Sequence, residues 1–364
     1  MPCSIPGFVV PERRPSPRGG APGPGTGGFG GPGAPADAIR RDEADPSSLA
    51  FEGDAGLLQV DAVAAGPEGG RRRLGQGLNV TAWVAIAWMA FIVLIAVLAK
   101  TGLVTWGDPQ NSIASCASKG PFAQGGSAPG HLLGCDSIGR DMIARLALGA
   151  WESLLVSVGA ITVGFVIGGG LGIIAGYFGG FVDTVLSGMF NVLLSVPAIV
   201  LALALVAFLQ GSPENAANST LPDWFVLILA IGIVSIPLVG RISRASALSW
   251  SQREFVLAAR AQGAKSGRIM IRELLPNVAP AMFSIALLGI AIAIVAEGTL
   301  AILGVGVRPP TPSWGNIIAL DRGLLLTSPH IVFEPSILIF LTALALNYLG
   351  DVVRTRFEVR ESGI

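Results

Sequence analysis

The residues of this chain that could carry out covalent or nucleotide chemistry are few and scattered. A phosphate-binding G-x-x-x-x-G-K-[ST] loop would offer backbone amides and a lysine to a nucleotide, and the sequence contains none. The run from Gly263 to Ser266 resembles its last residues, but Ala264 separates the glycine from the lysine. His131 and His330 stand far apart and are expected in loops rather than as ligands. The sequence therefore predicts no enzyme activity, no metal site and no cofactor bound by this chain.

A polar, helix-forming segment lies between two apolar stretches, at residues 251–276. Ser251 and Glu254 have the S-x-x-E spacing of a capping box, which predicts a helix start. Gly263 stands where that helix would end, and Ser266 would cap a second short helix. Residues at helical spacing between them are Phe255, Ala258, Ala259 and Gln262. We expect a shallow, small-residue helix face that docks into a groove on a partner protein.

The overall composition indicates a membrane protein rather than a soluble one. Hydrophobic residues make up 51% of the chain and charged residues only 13%, and the mean hydropathy is +0.65. The formal net charge is zero, so bulk electrostatics predict no nucleic-acid partner. The expected surroundings are membrane lipid.

The first 72 residues differ from the rest in composition. They are crowded with Pro and Gly and contain few aromatic residues. Such a segment buries too little apolar area to offset the entropy of ordering, so we predict a disordered tail over 1–72. It lacks the apolar run of a signal peptide. A passive extension and a regulatory tail are both open alternatives.

Six apolar runs are each long enough to cross a bilayer, which takes roughly 20 helical residues. They lie at about 80–100, 153–178, 184–210, 223–240, 279–305 and 335–350. This pattern predicts an all-α integral membrane protein with a six-span domain over 73–358 and a short tail over 359–364. Glycines crowd the second run, where they favour close helix packing. A flexible gate is the alternative for these glycines: Gly164, Gly168, Gly169, Gly170, Gly172 and Gly176.

The distribution of Lys and Arg predicts the orientation. If the N-terminus is cytoplasmic, most basic loop residues fall on the cytoplasmic side, as the positive-inside rule requires. We therefore expect both termini and the 251–276 segment in the cytoplasm. The partner that docks on this segment would then be cytoplasmic as well.

Several motifs, in order along the chain, resemble those of one transporter family. Leu257-Ala258-Ala259, Gly263 and Leu275-Pro276 resemble the E-A-A, glycine and L-P coupling motif of ATP-binding-cassette (ABC) importer permeases, with Leu257 in place of the glutamate. Further segments resemble the dipeptide/oligopeptide branch, and specifically its second permease subunit. They are LGCDSIGRD at 133–141, AGYFGG at 175–180 with Asp183, LSVP at 194–197, ILGVG at 302–306, PPTPSWG at 309–315 and NYLGD at 347–351.

This resemblance implies the type I ABC importer permease fold in a bacterial plasma membrane. It implies a second permease subunit, two ATPase subunits that bind ATP and Mg, and an extracytoplasmic substrate-binding protein. It assigns ATPase coupling to Glu254, Phe255, Ala258, Ala259, Arg260, Gly263 and Ala264. The implied substrate is a di- or oligopeptide, and nickel, haem or another small solute is the alternative within the family.

A secondary transporter or a channel is the rival class, and it usually needs charged residues inside the spans. Glu297 is the only ionisable residue well inside a predicted span. We expect Glu297 to form a structural ion pair with Arg140, Arg145 or Arg322. A role in the pathway or gate is the alternative.

Two cysteines fall in the long loop that the charge pattern predicts to be extracytoplasmic, Cys116 and Cys135. Disulfides persist in oxidising compartments, so we expect these two to be bridged. Two free thiols are the alternative. Cys3 lies in the predicted cytoplasmic tail and is expected to stay reduced.

Overall fold

The computed structural model describes residues 79–103, 110–121, 131–210 and 221–361. The predicted disordered tail at 1–72 lies outside the described residues. Within them the chain is helical, and the pairing of Cys135 with Asp141 is an isolated bridge rather than a strand. The predicted all-α fold class is confirmed.

Nine α-helices in the described residues form the architecture. They are α1 Val80–Thr101, α2 Met142–Phe178, α3 Gly180–Ser195, α4 Ala198–Gln210, α5 Asp223–Ser251, α6 Glu254–Ala261, α7 Ser266–Ile302, α8 Trp314–Asp321 and α9 His330–Glu361. Short π-helical turns interrupt α2 at Gly164–Gly168 and α7 at Met270–Leu274. Five helices are long and apolar enough to cross a membrane: α1, α2, α5, α7 and α9.

The third apolar run does not form the continuous helix that its composition predicts. It is divided into α3 and α4, which meet at an angle of 90°. Pro197 has no amide hydrogen and disfavours the helical conformation in the residue before it. Val196 accordingly has an extended backbone, with φ −89° and ψ 131°. The pair forms either a broken span or a re-entrant element, so the apolar run at 184–210 is bent at Pro197 instead of forming one straight helix.

Other predicted spans are shorter than the helices that contain them. The second begins at Met142 rather than at residue 153, because the Asp141 side chain caps the helix by accepting the Ala144 amide at 2.9 Å. The fourth continues beyond residue 240 to Ser251 despite Pro237 in its interior. The last continues to Glu361 instead of ending at residue 350. Each of these extensions contains charged residues, among them Arg145, Arg241 and Asp351, which lower its mean hydropathy.

A row of glycines on α2 allows α5 to approach its backbone closely. A Cβ atom built on Gly172 would lie 2.4 Å from the Gly240 carbonyl oxygen, and one on Gly176 would lie 2.6 Å from that of Arg244. Gly168 meets α5 in the same way, 2.4 Å from the Ile236 carbonyl oxygen. These contacts favour the packing interpretation of the glycines over that of a flexible gate.

A charged contact ties α3 to α5 beside this row. The Arg244 guanidinium on α5 makes two hydrogen bonds to the Asp183 carboxylate on α3. Ser187 donates a third to the same carboxylate at 3.0 Å. The bent α3–α4 pair is therefore attached at its first turn to the helix that α2 also packs on.

Candidate functional site

The candidate coupling element is α6, the short helix that connects α5 to α7. It does not begin with the predicted capping box. Ser251 is the last residue of α5, and its hydroxyl donates to the Leu248 carbonyl oxygen at 2.8 Å. The N-cap of α6 is Arg253, whose side chain makes no capping hydrogen bond. Helix α5 extends further than the apolar pattern predicts. Ser251 therefore belongs to the last turn of α5 and does not cap α6.

The end of α6 agrees with the sequence. Gly263 has a left-handed backbone with φ +77°, which glycine adopts without strain. Its amide donates to the Arg260 carbonyl oxygen at 2.9 Å, and the Ala264 amide donates to that of Ala259 at 3.1 Å. This is the Schellman hydrogen-bond pair, and the prediction that the helix stops at Gly263 is confirmed. The next helix starts after Lys265, so the predicted cap at Ser266 is wrong.

One face of α6 packs on the chain itself. Val256 is fully buried, and Ala259 and Ala264 are partly buried against the same apolar cluster. This cluster also contains Ile269 and Leu274 from the start of α7. Ala259 therefore fills part of the chain's own core, whereas the sequence alone assigns it to the partner surface. The Arg260 guanidinium lies over the Tyr177 ring at 4.6 Å, so α6 is also held to the end of α2.

The other face of α6 is open. Glu254, Ala258 and Gly263 are exposed, and Leu257 has 51% of its surface accessible. Phe255 is 36% exposed and lies against Trp250, with the two ring centroids 6.1 Å apart. The open face therefore carries Leu257 and Ala258, whereas the sequence predicts a small-residue docking face that contains Ala258 and Ala259.

An open concavity lies on the first turns of α7, the helix that follows α6. It has a volume of about 300 Å³ and is lined by Gly267, Arg268, Ile271 and Arg272. Ile271 exposes 66% of its surface there. The apolar side chain and the two guanidinium groups extend the candidate docking surface from α6 onto the start of α7.

A disulfide lies in the segment before α2, near the end of that helix opposite to Tyr177. Cys116 and Cys135 are bonded, with their Cα atoms 5.8 Å apart, and both are fully buried. The bridge holds the 110–121 segment against the 131–141 loop. Backbone contacts add to it, since the Cys135 amide donates to the Lys119 carbonyl oxygen at 3.0 Å and the Ser118 amide to that of Asp136 at 2.8 Å.

We predict that the double variant Cys116→Ser/Cys135→Ser destabilises the structure of residues 110–121 while the helical bundle stays folded. Closing a loop of this size stabilises by about 3 kcal/mol in chain-entropy estimates. Hydrogen exchange in residues 110–121 should rise strongly, whereas exchange in α5 should not change. Cys3→Ser is the matched control. Unchanged protection of 110–121 in the double variant would show that the bridge contributes nothing.

The two cysteines and His131 are close enough to one another to suggest a metal site, with candidate ligand atoms within 4.8 Å. The disulfide occupies both sulfurs, however, and a thiolate is needed to bind a metal. His131 instead contacts the Asp141 carboxylate through Nδ1. His330 begins α9 rather than lying in a loop, and its ring contacts the Cys135 carbonyl oxygen at 3.2 Å.

The 133–141 motif forms a buried polar turn around Asp136. Its carboxylate accepts the amides of Ile138 and Arg140 at 3.1 and 2.8 Å, and Nε of Arg140 at 2.6 Å. The buried Arg145 lies 3.4 Å from the same carboxylate. Arg140 and Arg145 are therefore partners of Asp136 and not of Glu297.

Glu297 is fully buried on α7, but the predicted ion pair is wrong. Its carboxylate accepts hydrogen bonds from the hydroxyls of Ser313 at 2.7 Å and Ser153 at 3.3 Å. The third predicted partner, Arg322, donates to the Ile302 carbonyl oxygen at 2.6 Å. Two hydroxyl donors hydrogen-bond the buried carboxyl group, where the sequence predicts an arginine. Ser313 belongs to the PPTPSWG motif at 309–315, and this motif is the sequence feature that points to the contact.

The comparisons with known proteins agree on one family. Residues 168–362 match the family described as "Binding-protein-dependent transport system inner membrane component". The dipeptide transport system permease protein DppC of Alkalihalophilus pseudofirmus is 35% identical over 280 residues, which cover 77% of this chain and 86% of that protein. DppC of Haemophilus influenzae is 30% identical over 280 residues, covering 77% and 90%.

Two further comparisons, one with a curated sequence and one with a solved structure, give partial alignments. The glutathione transport system permease protein GsiD of Pectobacterium atrosepticum is 34% identical over 233 residues, covering 64% of this chain and 74% of that protein. A solved structure of the MetNI methionine ABC transporter in an inward-facing conformation aligns with a TM-score of 0.47 and 20% identity, covering 59% and 97%. The family match and the DppC relatives are sufficient for assignment. This chain belongs to the family of binding-protein-dependent transport system inner membrane components.

Proposed function

We propose that this chain is a pore subunit of an ATP-driven importer that moves di- or oligopeptides into the cytoplasm. The observation that carries the proposal is the exposed face of α6, placed directly before the membrane-spanning α7 in a chain of this family. The relatives described as dipeptide and glutathione permeases support a peptide substrate.

The proposed complex contains this chain, a second permease subunit, two ATPase subunits and an extracytoplasmic binding protein. ATP and Mg bind to the ATPase subunits. Both termini and α6 face the cytoplasm of a bacterium, consistent with the basic residues around α6. The ATPase subunits contact Leu257 and Ala258 of α6 and the concavity on the first turns of α7.

The packing of α6 suggests how force passes into the membrane. Val256 of α6 shares an apolar cluster with Ile269 and Leu274 of α7, so the two helices are joined by a buried core. Close-packed cores shift between discrete arrangements rather than deform continuously. When the ATPase subunits close, α6 and the start of α7 move together and reorient the spans between inward-open and outward-open states.

The proposal is tested by purifying the tagged chain from its native membrane and reconstituting the co-purifying subunits with the binding protein in liposomes. We expect a second permease and two ATPase chains, and ATP-dependent uptake of a labelled dipeptide. Nickel and haem are assayed in parallel. Uptake of one of these solutes without peptide uptake would move the assignment to another substrate of the family. Uptake driven by a proton gradient in the absence of ATP would identify a secondary transporter instead.

A further inference from the structure

The carboxylate of Glu297 joins three separate elements of the chain. It lies on α7, its Ser153 partner lies on α2, and its Ser313 partner is the N-cap of α8. The Gly315 backbone also hydrogen-bonds to it. The Ser153 hydroxyl in addition accepts the Trp314 amide at 3.1 Å, so α8 is bound to α2 through the same group.

The first turn of α8 is built around this contact. Ser313 and Asn316 form a capping box, in which the Asn316 side chain also donates to the carbonyl oxygens of Thr311 at 2.7 Å and Val307 at 3.1 Å. Trp314 is fully buried, and its indole donates to the Leu146 carbonyl oxygen at 3.0 Å. The loop that leads into α8 is thus closed on the Asn316 side chain, in the same helical turn as the Ser313 hydroxyl that donates to Glu297.

Close backbone contact leaves α8 little freedom to slide on α7. A Cβ atom built on Gly315 would lie 2.6 Å from the Gly298 Cα and 2.9 Å from a Glu297 carboxylate oxygen. The neighbouring acid, Glu152, is held separately by Lys100 at 3.3 Å. In the part of the chain that the structure describes, no cation pairs with Glu297, and the hydrogen bonds to its carboxyl group come from α2 and from the start of α8.

The same helix reaches the candidate coupling surface at its other end. From Ser266 to Ile302, α7 contains 37 residues, a length of roughly 55 Å at the rise of an α-helix. Its first turns share a core with α6, and its last turns carry Glu297. One continuous helix therefore connects the face proposed for the ATPase subunits with α8.

We infer that Glu297 is a positioning residue that makes α8 move with α7, so that nucleotide-driven motion at α6 is transmitted to α8 on the extracytoplasmic side. The inference rests on the proposed function. In the reverse direction, by linkage, a loaded binding protein that docks against the α8 side is sensed at the ATPase subunits. Without the carboxylate, α7 still spans the membrane, but α8 no longer follows its position.

The test uses the complete transporter with two variants that remove the contact from either side, Glu297→Gln and Ser313→Ala. Gln keeps the shape of the side chain but has one acceptor oxygen instead of two, and Ala removes both the hydroxyl and the N-cap. Asp351→Asn, at an exposed position on α9, controls for loss of a carboxylate. Thr299→Ala controls for loss of a hydroxyl, because the Thr299 side chain is only partly buried on α7 and its hydroxyl donates to the Val295 carbonyl oxygen of the same helix at 2.8 Å.

Two measurements separate transmission from simple destabilisation. The first is the ATPase rate of assembled complexes with and without the loaded binding protein. We expect both variants to keep the basal rate and to lose stimulation by at least about fivefold, the lower end of common allosteric couplings. The second is hydrogen exchange in Trp314–Asp321 with and without trapped nucleotide. The nucleotide-dependent difference should be present in the controls and absent from both variants.

Normal stimulation together with a normal nucleotide-dependent exchange difference in Ser313→Ala would overturn the inference. That variant decides the question if Glu297→Gln fails to assemble. The exchange measurement requires no substrate, so it remains valid if the transported solute is not a peptide. Failure of peptide uptake in the wild-type complex would instead count against the proposed function.

Discussion

Gly172→Leu is expected to prevent stable folding of the transmembrane bundle. A Cβ atom at this position would lie 2.4 Å from the Gly240 carbonyl oxygen, 2.7 Å from the Ser243 Cβ and 2.9 Å from the Arg244 amide nitrogen. Two of these atoms belong to the backbone of α5 and cannot move aside as a side chain can. Overpacking usually costs about 1–3 kcal/mol and occasionally more, and we expect the upper end here. The yield of monodisperse protein and its thermal midpoint measure the effect.

Gly170 supplies the matched control for this prediction. It lies on the same helix two residues away, and nothing lies within 4 Å of a Cβ atom built on it. Gly170→Leu should therefore retain close to the wild-type yield and thermal midpoint. If the two variants behave alike, the close approach of α2 and α5 does not stabilise the bundle and the glycine row has another role.

Ala258→Trp is expected to abolish coupled ATP hydrolysis while leaving this chain folded. Ala258 is exposed on the open face of α6, so the substitution removes no buried packing of this chain. On docking it would overpack the contact with the ATPase subunit by about 1–3 kcal/mol, which lowers the affinity of the contact by about 5- to 150-fold. We would measure subunit association and binding-protein-stimulated ATPase activity in the reconstituted complex.

Ala259→Trp distinguishes the partner surface from the chain's own core. Ala259 is partly buried against the cluster that contains Val256 and Leu274, so its replacement should lower the thermal stability of the isolated chain. Ala258→Trp should leave that stability unchanged. Ala87→Trp, on an exposed position of α1, controls for the added indole. Full stimulation in Ala258→Trp would contradict the proposed docking face.

Local features of the chain were predictable because they depend on neighbouring residues. The stop of α6 at Gly263 follows from the left-handed conformation that glycine adopts freely. The break at Pro197 was equally available from the sequence, since proline lacks an amide hydrogen, although the apolar run around it suggested a single span. Hydropathy measures only the average environment of a helix and is insensitive to such a bend.

Which side chains meet across the bundle depends on how the helices rotate and slide against one another. Glu297 was recognisable as a costly buried acid, but its partner could have been any donor that the fold brings within reach. The row of hydroxyls that satisfies it comes from Ser153 and Ser313, which are separated from it by 144 and 16 residues. The same limitation applies to α6, where helical spacing predicts a small-residue face but does not say that Ala259 points inward.

The sequence by itself therefore determined the helical class, most of the membrane-crossing elements and the position of the polar element between α5 and α7. These depend on hydrophobic burial and on the backbone preferences of glycine and proline, which act locally along the chain. The tertiary structure decided that Arg140 and Arg145 pair with Asp136, that Glu297 binds α8 through Ser313, and which face of α6 is open. These contacts depend on the mutual packing of distant helices, because a buried charge takes whichever donors that packing places beside it.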